Sequence, residues 1–526
     1  MRLSELVAAL SLGIDLGFGQ PMEHVLRQCL IALRLADQLD LDIDARASVY
    51  YTALLVNVGC HTDAHEQAKW FGDDIALKSG KYDANGLRAA AATLSLLGSG
   101  NPPLNRFRIA VEFALSGRRD VSGMIAQHAR MARSLAEQLN LPDAVLDGVG
   151  SAYEQWDGHG WPGNLSGADV PIASRIAQLS EYVEVAHRSG GSAGAKAFAR
   201  RRSGKQIDPV LADILLSTAD EVLDDLDSPR TWGSVIDQEP SLAVTLSPDE
   251  FDAALVAIAN FIDLKSPYTL GHATAVADLV KESARILGLP PVESRLLYRA
   301  GLVHGFGRLG VSNAIWDRPG PLSAGEWERV RMYPYLTERM LHQSATLEPL
   351  GRIAVQHRER LDGSGYPRGL VAGSISRLAR ILAAADGYQT KREPRPHRRM
   401  QSPEQAAGYL RDEARAGRLG GEAADVVLRA AGHRVRRRID GLAGLTPREV
   451  EVLRLVARGL SNRQIGERLV ITPKTAGNHI EHIYAKIHAP TRAAAALFAL
   501  QHGLLPEEEI RATTSGWHGL PGTGRE

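Results

Sequence analysis

The side chains of a helix predicted over residues 473–487 carry chemistry suited to DNA. Apolar residues spaced four and three apart form one stripe, made of Ala476, Ile480, Ile483 and Ile487. The opposite side presents amide, imidazole, hydroxyl and amine groups on Lys474, Thr475, Asn478, His479, His482 and Lys486. A polar helix face is usually only solvated surface. This one holds a single acid, Glu481, and its groups can reach base edges and phosphates, which favours a DNA-reading helix.

Three helix starts position that face. Thr446 and Ser461 are each followed three residues later by Glu449 and Gln464, which makes two capping boxes. Thr472 is a third N-cap, with a proline at the first helical position. These signals predict a helix-turn-helix pattern with helices near 447–458, 462–469 and 473–487.

The same end of the chain is basic. Residues 434–505 hold twelve Lys or Arg and five Asp or Glu, a net charge of +7 in a chain whose formal charge is zero. The remainder of the chain is therefore acidic to the same extent. Such an asymmetry favours a nucleic-acid partner at this end.

Residues 445–505 resemble the LuxR-type helix-turn-helix domain. The resemblance rests on LTPREVEVLRLVARGLSNRQIGERLVITPKTAGNHIEHIYAKI, followed by TRAAAALFALQHGLL. It implies a four-helix domain that binds double-stranded DNA, with a homodimer formed through the last helix, near 491–503. The residues it assigns to DNA contact are Arg463, Thr472, Lys474, Thr475, Asn478, His479 and His482. The sequence departs from the family at Ala476-Gly477, and a glycine inside a helix costs about 1 kcal/mol.

A block of the form Asp-Gly-x-Gly-aromatic-Pro occurs twice, at 157–162 and at 362–367. The same offset of 205 carries Glu154 onto Glu359, and it also relates His128 to Tyr333 and Glu181 to Asp386. Upstream, residues 53–57 resemble 300–304 with an offset of 247, so the first copy holds extra residues between about 62 and 105. The sequence therefore predicts two diverged copies of one helical domain.

The motifs of the second copy resemble the HD-GYP family of metal-dependent phosphodiesterases, which hydrolyse cyclic di-GMP. In chain order they are Gly271-His272, His304-Gly305-Phe306-Gly307-Arg308, Tyr333-Pro334, Gln356-His357-Arg358-Glu359, Asp362-Gly363-Ser364-Gly365-Tyr366-Pro367 and Ala385-Asp386. Imidazole and carboxylate groups suit Fe or Mn, and adjacent metals activate a water for attack on phosphorus. The resemblance implies metal ligands at His272, His304, His357 and Asp386.

Three further ligand positions of that family are changed in this chain. Gly305 stands where the resemblance implies a bridging aspartate, and Tyr333 and Gln356 stand where it implies histidines. Arg308 stands at a lysine position and is the candidate catalytic residue. The sequence therefore predicts one divalent metal, Fe or Mn, in the second copy, in place of a bridged pair.

The loop of the second copy offers groups for a nucleotide ligand. Glycines allow close backbone approach, an aromatic ring can stack, and arginines can meet phosphate. The candidate ligand-binding residues are Asp362, Gly363, Gly365, Tyr366, Pro367, Arg368 and Arg380. The alternative is that the glycines and Asp362 only form a turn. In the first copy only His24, His128 and Glu181 could ligate a metal, and we expect that copy to pack or dimerise without chemistry.

Composition limits the class of protein. A chain of 526 residues predicts about three or four folded units, and 44% hydrophobic with 23% charged residues is ordinary for globular domains. Only two cysteines, Cys29 and Cys60, argue against a disulfide framework and fit a reducing cytosol. Since no run of about eighteen apolar residues occurs, we expect neither secretion nor membrane insertion, and a cytoplasmic protein.

Helical periodicity with few alternating strands predicts an all-α fold. The predicted limits are 1–228 for the first copy, 229–246 for a linker, 247–432 for the second copy, 433–445 for a basic linker, 446–506 for the DNA-binding domain and 507–526 for a flexible tail. We interpret the chain as a transcriptional regulator whose helical copies sense a signal, with a nucleotide as a candidate ligand, or mediate dimerisation. The alternatives are a metal-dependent phosphohydrolase coupled to a DNA-binding domain, and helical copies that bind only a partner protein.

Overall fold

A computed structural model describes residues 1–79, 95–98, 102–226, 230–240, 244–434 and 445–502, together with Tyr82, Ala443 and Leu504. Within that part of the chain the regular elements are all helices, which confirms the all-α prediction. Arg436 to Arg438 of the basic linker and the tail at 507–526 lie outside the described residues. No helix of the described part is long and apolar enough to cross a membrane.

The first copy contains ten α-helices among its described residues. They are α1 Leu3–Gly17, α2 His24–Gln38, α3 Ile43–Leu55, α4 Ala64–Phe71, α5 Asp74–Ser79, α6 Pro103–Gln138, α7 Asp143–Gly150, α8 Ile172–Arg202, α9 Pro209–Val222 and α10 Thr231–Asp237. Helix α8 is interrupted at Gly190 and Gly191, whose backbone angles are not helical. Cys29 and Cys60 are buried and free.

The second copy repeats this pattern in shorter form. Its helices are α11 Pro248–Asp263, α12 His272–Leu287, α13 Pro291–Val303, α14 Asn313–Trp316, α15 Ala324–Leu341, α16 Glu348–Ala354, α17 Arg377–Lys391, α18 Pro403–Arg415 and α19 Gly421–Ala430. Helix α11 begins at a capping box, in which Ser247 and Glu250 each bond the backbone amide of the other.

The duplication is visible in the backbone at the start of α2 and of α12. Each helix follows a residue with left-handed backbone, Glu23 with φ 78° and Gly271 with φ 69°. The carboxylate of Asp15 accepts the amide of Val25 at 3.1 Å, and that of Asp263 accepts the amide of Ala273 at 2.8 Å. A buried aspartate thus orients the first turn of the same helix in both copies.

The repeated glycine loop is also built in the same way twice. Glu154 accepts the amides at 163 and 164, and Glu359 accepts the amides at 368 and 370, at 2.7 to 3.1 Å. A Cβ added to Gly160 or to Gly365 would overlap the backbone that precedes the loop, so glycine is required there. A buried glutamate and a close backbone approach therefore fix the loop in each copy.

The two copies pack into one compact unit over Met1–Arg434 with a shared core. Gly13 of α1 faces the second copy so closely that an added Cβ would lie 2.5 Å from Cε of Met340. His61 of the first copy lies 2.8 Å from the carbonyl oxygen of Phe261. Asp74 of α5 contacts Lys265 of the second copy. The two copies are therefore joined by apolar packing, a hydrogen bond and a buried ion pair.

The described residues from Ala443 onward form a separate compact unit. Its helices are α20 Pro447–Ala457, α21 Asn462–Leu469, α22 Pro473–Ile487 and α23 Arg492–Gln501, in agreement with the predicted starts. Both capping boxes form, with the amide of Thr446 bonded to the Glu449 carboxylate at 2.7 Å and that of Ser461 bonded to Gln464 at 2.8 Å. The predicted apolar stripe of α22 is buried.

Candidate metal centre and DNA-reading helix

His272, His304 and Asp386 meet inside the second copy. His272 is the first residue of α12, His304 follows the last turn of α13, and Asp386 lies in the middle of α17. Oδ1 of Asp386 lies 3.3 Å from Nε2 of His272 and 3.7 Å from Nε2 of His304, and the two nitrogens are 3.3 Å apart. All three side chains are buried.

Neighbouring groups orient both imidazoles toward Asp386. Nδ1 of His272 donates to the carboxylate of Glu393 at 2.9 Å, and Nδ1 of His304 donates to the carbonyl oxygen of Gly301 at 2.6 Å. Such bonds fix the ring and leave Nε2 as the metal-binding nitrogen. Within the described residues these three side chains form the one group able to hold an ion, with ligand atoms within 4.8 Å of one another. Two imidazoles and a carboxylate fit Fe or Mn.

The structure does not bring His357 into this group. Its Nδ1 donates to the carbonyl oxygen of Ala354 at 2.5 Å, and its Nε2 accepts the hydroxyl of Tyr333 at 2.6 Å. The ring still lies beside His304, with centroids 5.0 Å apart. His357 is therefore adjacent to the predicted metal centre, with both ring nitrogens already engaged.

Arg358 also contacts the centre, and sequence reasoning missed it. Its Nη2 lies 3.2 Å from Oδ1 and 3.1 Å from Oδ2 of Asp386, and its Nε donates to the hydroxyl of Tyr333 at 2.8 Å. Gln356, placed at a ligand position by the sequence, instead accepts the amide of Ser376 at 2.9 Å. Arg358, and not Gln356, therefore lies beside Asp386.

The electrostatics keep Asp386 charged and His304 neutral. Burial disfavours the carboxylate, but Arg358 and the histidines hold the pKa of Asp386 well below its usual value. Burial lowers the pKa of His304 to about 4. A charged carboxylate and a neutral imidazole are the forms that bind metal, so the protein presets both.

Arg308, the candidate catalytic residue, is buried beside Gly305. A Cβ at Gly305 would lie 3.2 Å from Nη1 of Arg308, so the guanidinium fills the space that a side chain at 305 would enter. Its charge faces the rings of Trp316 and Tyr333 at 5.5 and 5.7 Å. Nη1 lies 3.8 Å from the carboxylate of Asp263, and no hydrogen-bond partner for Nε or Nη1 is found in the described part of the protein.

The loop residues predicted to bind a ligand lie next to the centre, and several have partners. Asp362 accepts the amide and hydroxyl of Ser364, and Arg380 donates to the carbonyl oxygens of residues 372 and 375. Arg368 pairs with Glu338. Tyr366 packs against Tyr333. Gly363, Gly365 and Pro367 shape the turn between them, so these residues form one structural loop as well as a candidate surface.

In the first copy each of the corresponding side chains already has a bonding partner within the protein. The carboxylate of Glu181 accepts Asn57 at 2.8 Å and the hydroxyl of Tyr82 at 2.7 Å. His24 bonds Glu184 at 2.5 Å, and His128 bonds Asp63 at 2.7 Å. The described residues of this copy hold no metal-binding group.

Helix α22 exposes most of the predicted DNA contacts. Lys474, Asn478 and His482 are exposed, while Thr475 and His479 are half-buried. Thr472 caps the helix by accepting the amide of residue 475 at 3.1 Å. Arg463 is exposed on α21 and pairs with Glu467 at 3.0 Å. Lys486 differs from the others because it pairs with the capping carboxylate Glu449 at 2.6 Å.

A family model described as HD domain matches residues 75–209 and 257–422, more than half of the chain. The chain belongs to the HD-domain family. The two matched segments confirm the duplication. A second model, described as bacterial regulatory proteins of the luxR family, matches residues 443–499. The HD-domain chain is thus a DNA-binding transcriptional regulator as well, which confirms the main interpretation of the sequence.

Relatives of this HD-domain protein include cyclic-dinucleotide phosphodiesterases. It is 30% identical over 417 residues to 3′3′-cGAMP-specific phosphodiesterase 3 of Vibrio cholerae, covering 78% of this chain and 90% of the relative. It is 35% identical over 158 residues to a cyclic di-GMP phosphodiesterase of Pseudomonas aeruginosa, covering 29% of this chain and 38% of the relative. A crystal structure of a cyclic GMP-AMP specific phosphodiesterase of V. cholerae aligns with a TM-score of 0.57 at 26% identity, covering 83% of this chain and 99% of that one.

Proposed function

We propose that the second HD domain is a nucleotide sensor that holds one divalent ion and regulates DNA binding. The ion, Fe or Mn, is held by His272, His304 and Asp386, and the signal is a cyclic dinucleotide of the class named for the relatives. The observation that carries the proposal is the intact three-ligand group beside Arg358 and Gly305, which offer no further ligands. The functional unit is a homodimer, because helix-turn-helix proteins bind two half-sites as dimers.

The residues around the centre support binding of a phosphodiester. A bound divalent ion supplies Lewis acidity toward a phosphate oxygen. Arg308 holds donors without a partner in the described chain, and these can pair with a second phosphate oxygen. The loop that carries Tyr366 and Arg368 packs against the cluster of Tyr333 through Tyr366. The limits predicted for the two copies and for the DNA-binding domain remain part of this proposal, whereas the segment predicted as a linker at 229–246 contains helix α10, whose Val235 and Ile236 lie in the shared core.

Metal content is the first test. The purified chain is incubated with Mn(II), desalted, and assayed for bound metal. We expect one ion per chain, and we expect His304→Ala to lose it because the ligand is removed. His342→Ala serves as the matched control, since that histidine lies on the surface of the same domain. A wild-type chain without bound metal would contradict the proposed centre.

The sensor proposal is tested with nucleotides. Calorimetric titration of the Mn-loaded protein with 3′3′-cGAMP and with cyclic di-GMP should show binding of one of them, without release of linear products. The affinity for a DNA duplex selected from a random library should then change when that nucleotide is present. Absence of binding by both nucleotides would overturn the sensor proposal.

The second candidate is a phosphohydrolase that works with a single ion, favoured by the intact His272, His304 and Asp386 group. It predicts linear product from one of the same nucleotides. Gly305→Asp tests it further. An added Cβ at position 305 would lie 3.2 Å from Nη1 of Arg308, so the new carboxylate would lie beside that guanidinium. Turnover that appears only in this variant would show that the natural chain is not a hydrolase.

A further inference from the structure

We propose that Arg358 is a built-in cation that takes the place of a second metal ion beside Asp386, so that the domain accepts one ion only. The proposal rests on the single-ion centre proposed above. It assigns a role to a residue that neither the motif spacing nor the family match singles out.

The Asp386 carboxylate faces the proposed ion position on one side and the guanidinium of Arg358 on the other. Oδ1 lies 3.3 Å from Nε2 of His272, on the side where a metal ion would bind. Nη2 of Arg358 lies within 3.2 Å of both carboxylate oxygens. A carboxylate can bridge two cations, and here the guanidinium already occupies the second position.

Tyr333 removes the remaining ligand for a second ion. Its hydroxyl donates to Nε2 of His357 at 2.6 Å while accepting Nε of Arg358 at 2.8 Å. The imidazole nitrogen of His357 that could coordinate metal is therefore used inside the protein. The contacts run from His357 through Tyr333 and Arg358 to Asp386, and of these four residues only Arg358 is partly exposed.

The charge of this region opposes a second dication. Arg358 carries a fixed positive charge, because a guanidinium is not deprotonated in proteins, and it lies within 3.2 Å of the Asp386 carboxylate. Arg308 adds a second guanidinium, whose central carbon lies 5.7 Å from the centroid of the Tyr333 ring. Two fixed positive charges at this range repel a further cation strongly in a buried site.

The first copy shows that the loop does not need this arginine to fold. The offset of 205 puts Tyr153 at the position of Arg358 and His128 at that of Tyr333. The glutamate that organises the loop, Glu154, nevertheless accepts two backbone amides of its loop as Glu359 does, and the amides at 163 and 368 are equivalent under that offset. Arg358 is therefore not needed to shape the loop, and its side chain bonds Tyr333 and Asp386 beside the centre.

The test counts metal ions in the full-length chain. Wild-type protein is titrated with Mn(II) into the millimolar range, and we expect bound metal to level off at one ion, with the electron paramagnetic resonance signal of isolated Mn(II). Tyr333→His with Arg358→His supplies two imidazoles, one of them the residue that the first copy carries, and removes the buried charge. We expect two ions per chain and a spin-coupled signal from this variant.

Arg360→His is the matched control, because Arg360 is two residues away and bonds a backbone carbonyl oxygen and Glu413. It should keep one ion. A folded double variant that still holds one ion would overturn the role of Arg358, and so would a wild-type chain that takes two. The second outcome leaves the proposed metal centre standing, whereas a wild-type chain without metal rejects both. The wild-type titration decides the matter even where the double variant does not fold.

Discussion

The hydroxyl oxygen of Tyr388 lies 2.9 Å from Nε2 of His433, with the two rings 5.7 Å apart. Tyr388 is on α17, two residues beyond Asp386. His433 follows α19, the last helix of the compact unit that ends at Arg434, and the chain beyond it leads to the DNA-binding helices. This bond connects the helix that carries the candidate metal ligand to the start of the linker.

Tyr388→Phe should weaken the coupling between the metal centre and DNA. A hydrogen bond between neutral groups contributes about 1 kcal/mol, equivalent to about a fivefold change in an equilibrium constant. We therefore expect the ratio of DNA dissociation constants with and without Mn(II) to move toward one by up to that factor. Fluorescence anisotropy on a selected duplex measures both constants.

Tyr335→Phe is the control for this experiment, because its hydroxyl is exposed and contacts only Arg339 at 3.4 Å among the described residues. Metal content should stay the same in both variants. If Tyr388→Phe leaves the ratio at its wild-type value, the signal does not pass through His433.

The exposed side chains of α22 should differ in what they contribute to DNA binding. Lys474→Ala removes a phosphate contact, so we expect weaker binding to all duplexes and a salt slope reduced by about one. Asn478→Ala and His479→Ala remove groups that can reach base edges, so we expect a loss of preference between sequences. Titrations of a selected and a scrambled duplex at several salt concentrations separate the two effects.

Arg411→Ala supplies the matched loss of charge, since Arg411 is exposed in the other compact unit. It should change neither affinity nor selectivity. Unchanged binding in all three α22 variants would show that this helix does not read DNA.

Two glycines of the DNA-binding unit should respond oppositely to alanine. A Cβ at Gly477 of α22 would lie 3.5 Å from Nδ2 of Asn462, an ordinary contact, so Gly477→Ala should stabilise the helix by about 1 kcal/mol. A Cβ at Gly466 would lie 2.7 Å from the carbonyl oxygen of Ile471, so Gly466→Ala should destabilise the unit. Thermal melts followed by circular dichroism compare the variants, and equal melting temperatures would contradict both expectations.

The helices of the DNA-binding unit were predictable from local signals. Thr446, Ser461 and Thr472 each cap a helix through an amide three residues away, and the predicted and observed starts agree. The apolar stripe of α22 follows directly from its period. Because these contacts join residues that are close in sequence, the sequence alone predicts this part of the fold.

The metal centre was only partly predictable, because its contacts are distant in sequence. His272 is held by Glu393, 121 residues away, and no motif marks that glutamate. Arg358 was overlooked because the spacing drew attention to Gln356 and His357, whose neighbour it is. Asp74, which links the copies, is 239 residues from its partner Asn313. Only folding reveals which residues such side chains meet.

Asp74 should be the main acid-sensitive link between the two copies. Its buried carboxylate contacts Lys265 at 3.4 Å and Lys78 at 3.5 Å, and it accepts the hydroxyl of Ser312 at 2.7 Å. Burial opposes the charged form, but these partners outweigh it and lower the pKa of Asp74 to about 2. A depressed pKa means that this stabilisation is complete above the unfolded value of about 4 and is lost as the pH falls toward 2.

Asp74→Asn should therefore lower the free energy of unfolding by about 3 kcal/mol at neutral pH, because it leaves two buried lysines without their counter-charge. Between pH 4 and 2 the variant should lose about 2 kcal/mol less than the wild type. Urea unfolding at a series of pH values measures both differences. Asp278→Asn, on an exposed position of α12, should follow the wild-type curve. If the Asp74 variant follows it too, the buried carboxylate does not hold the copies together, and the shared apolar core alone does.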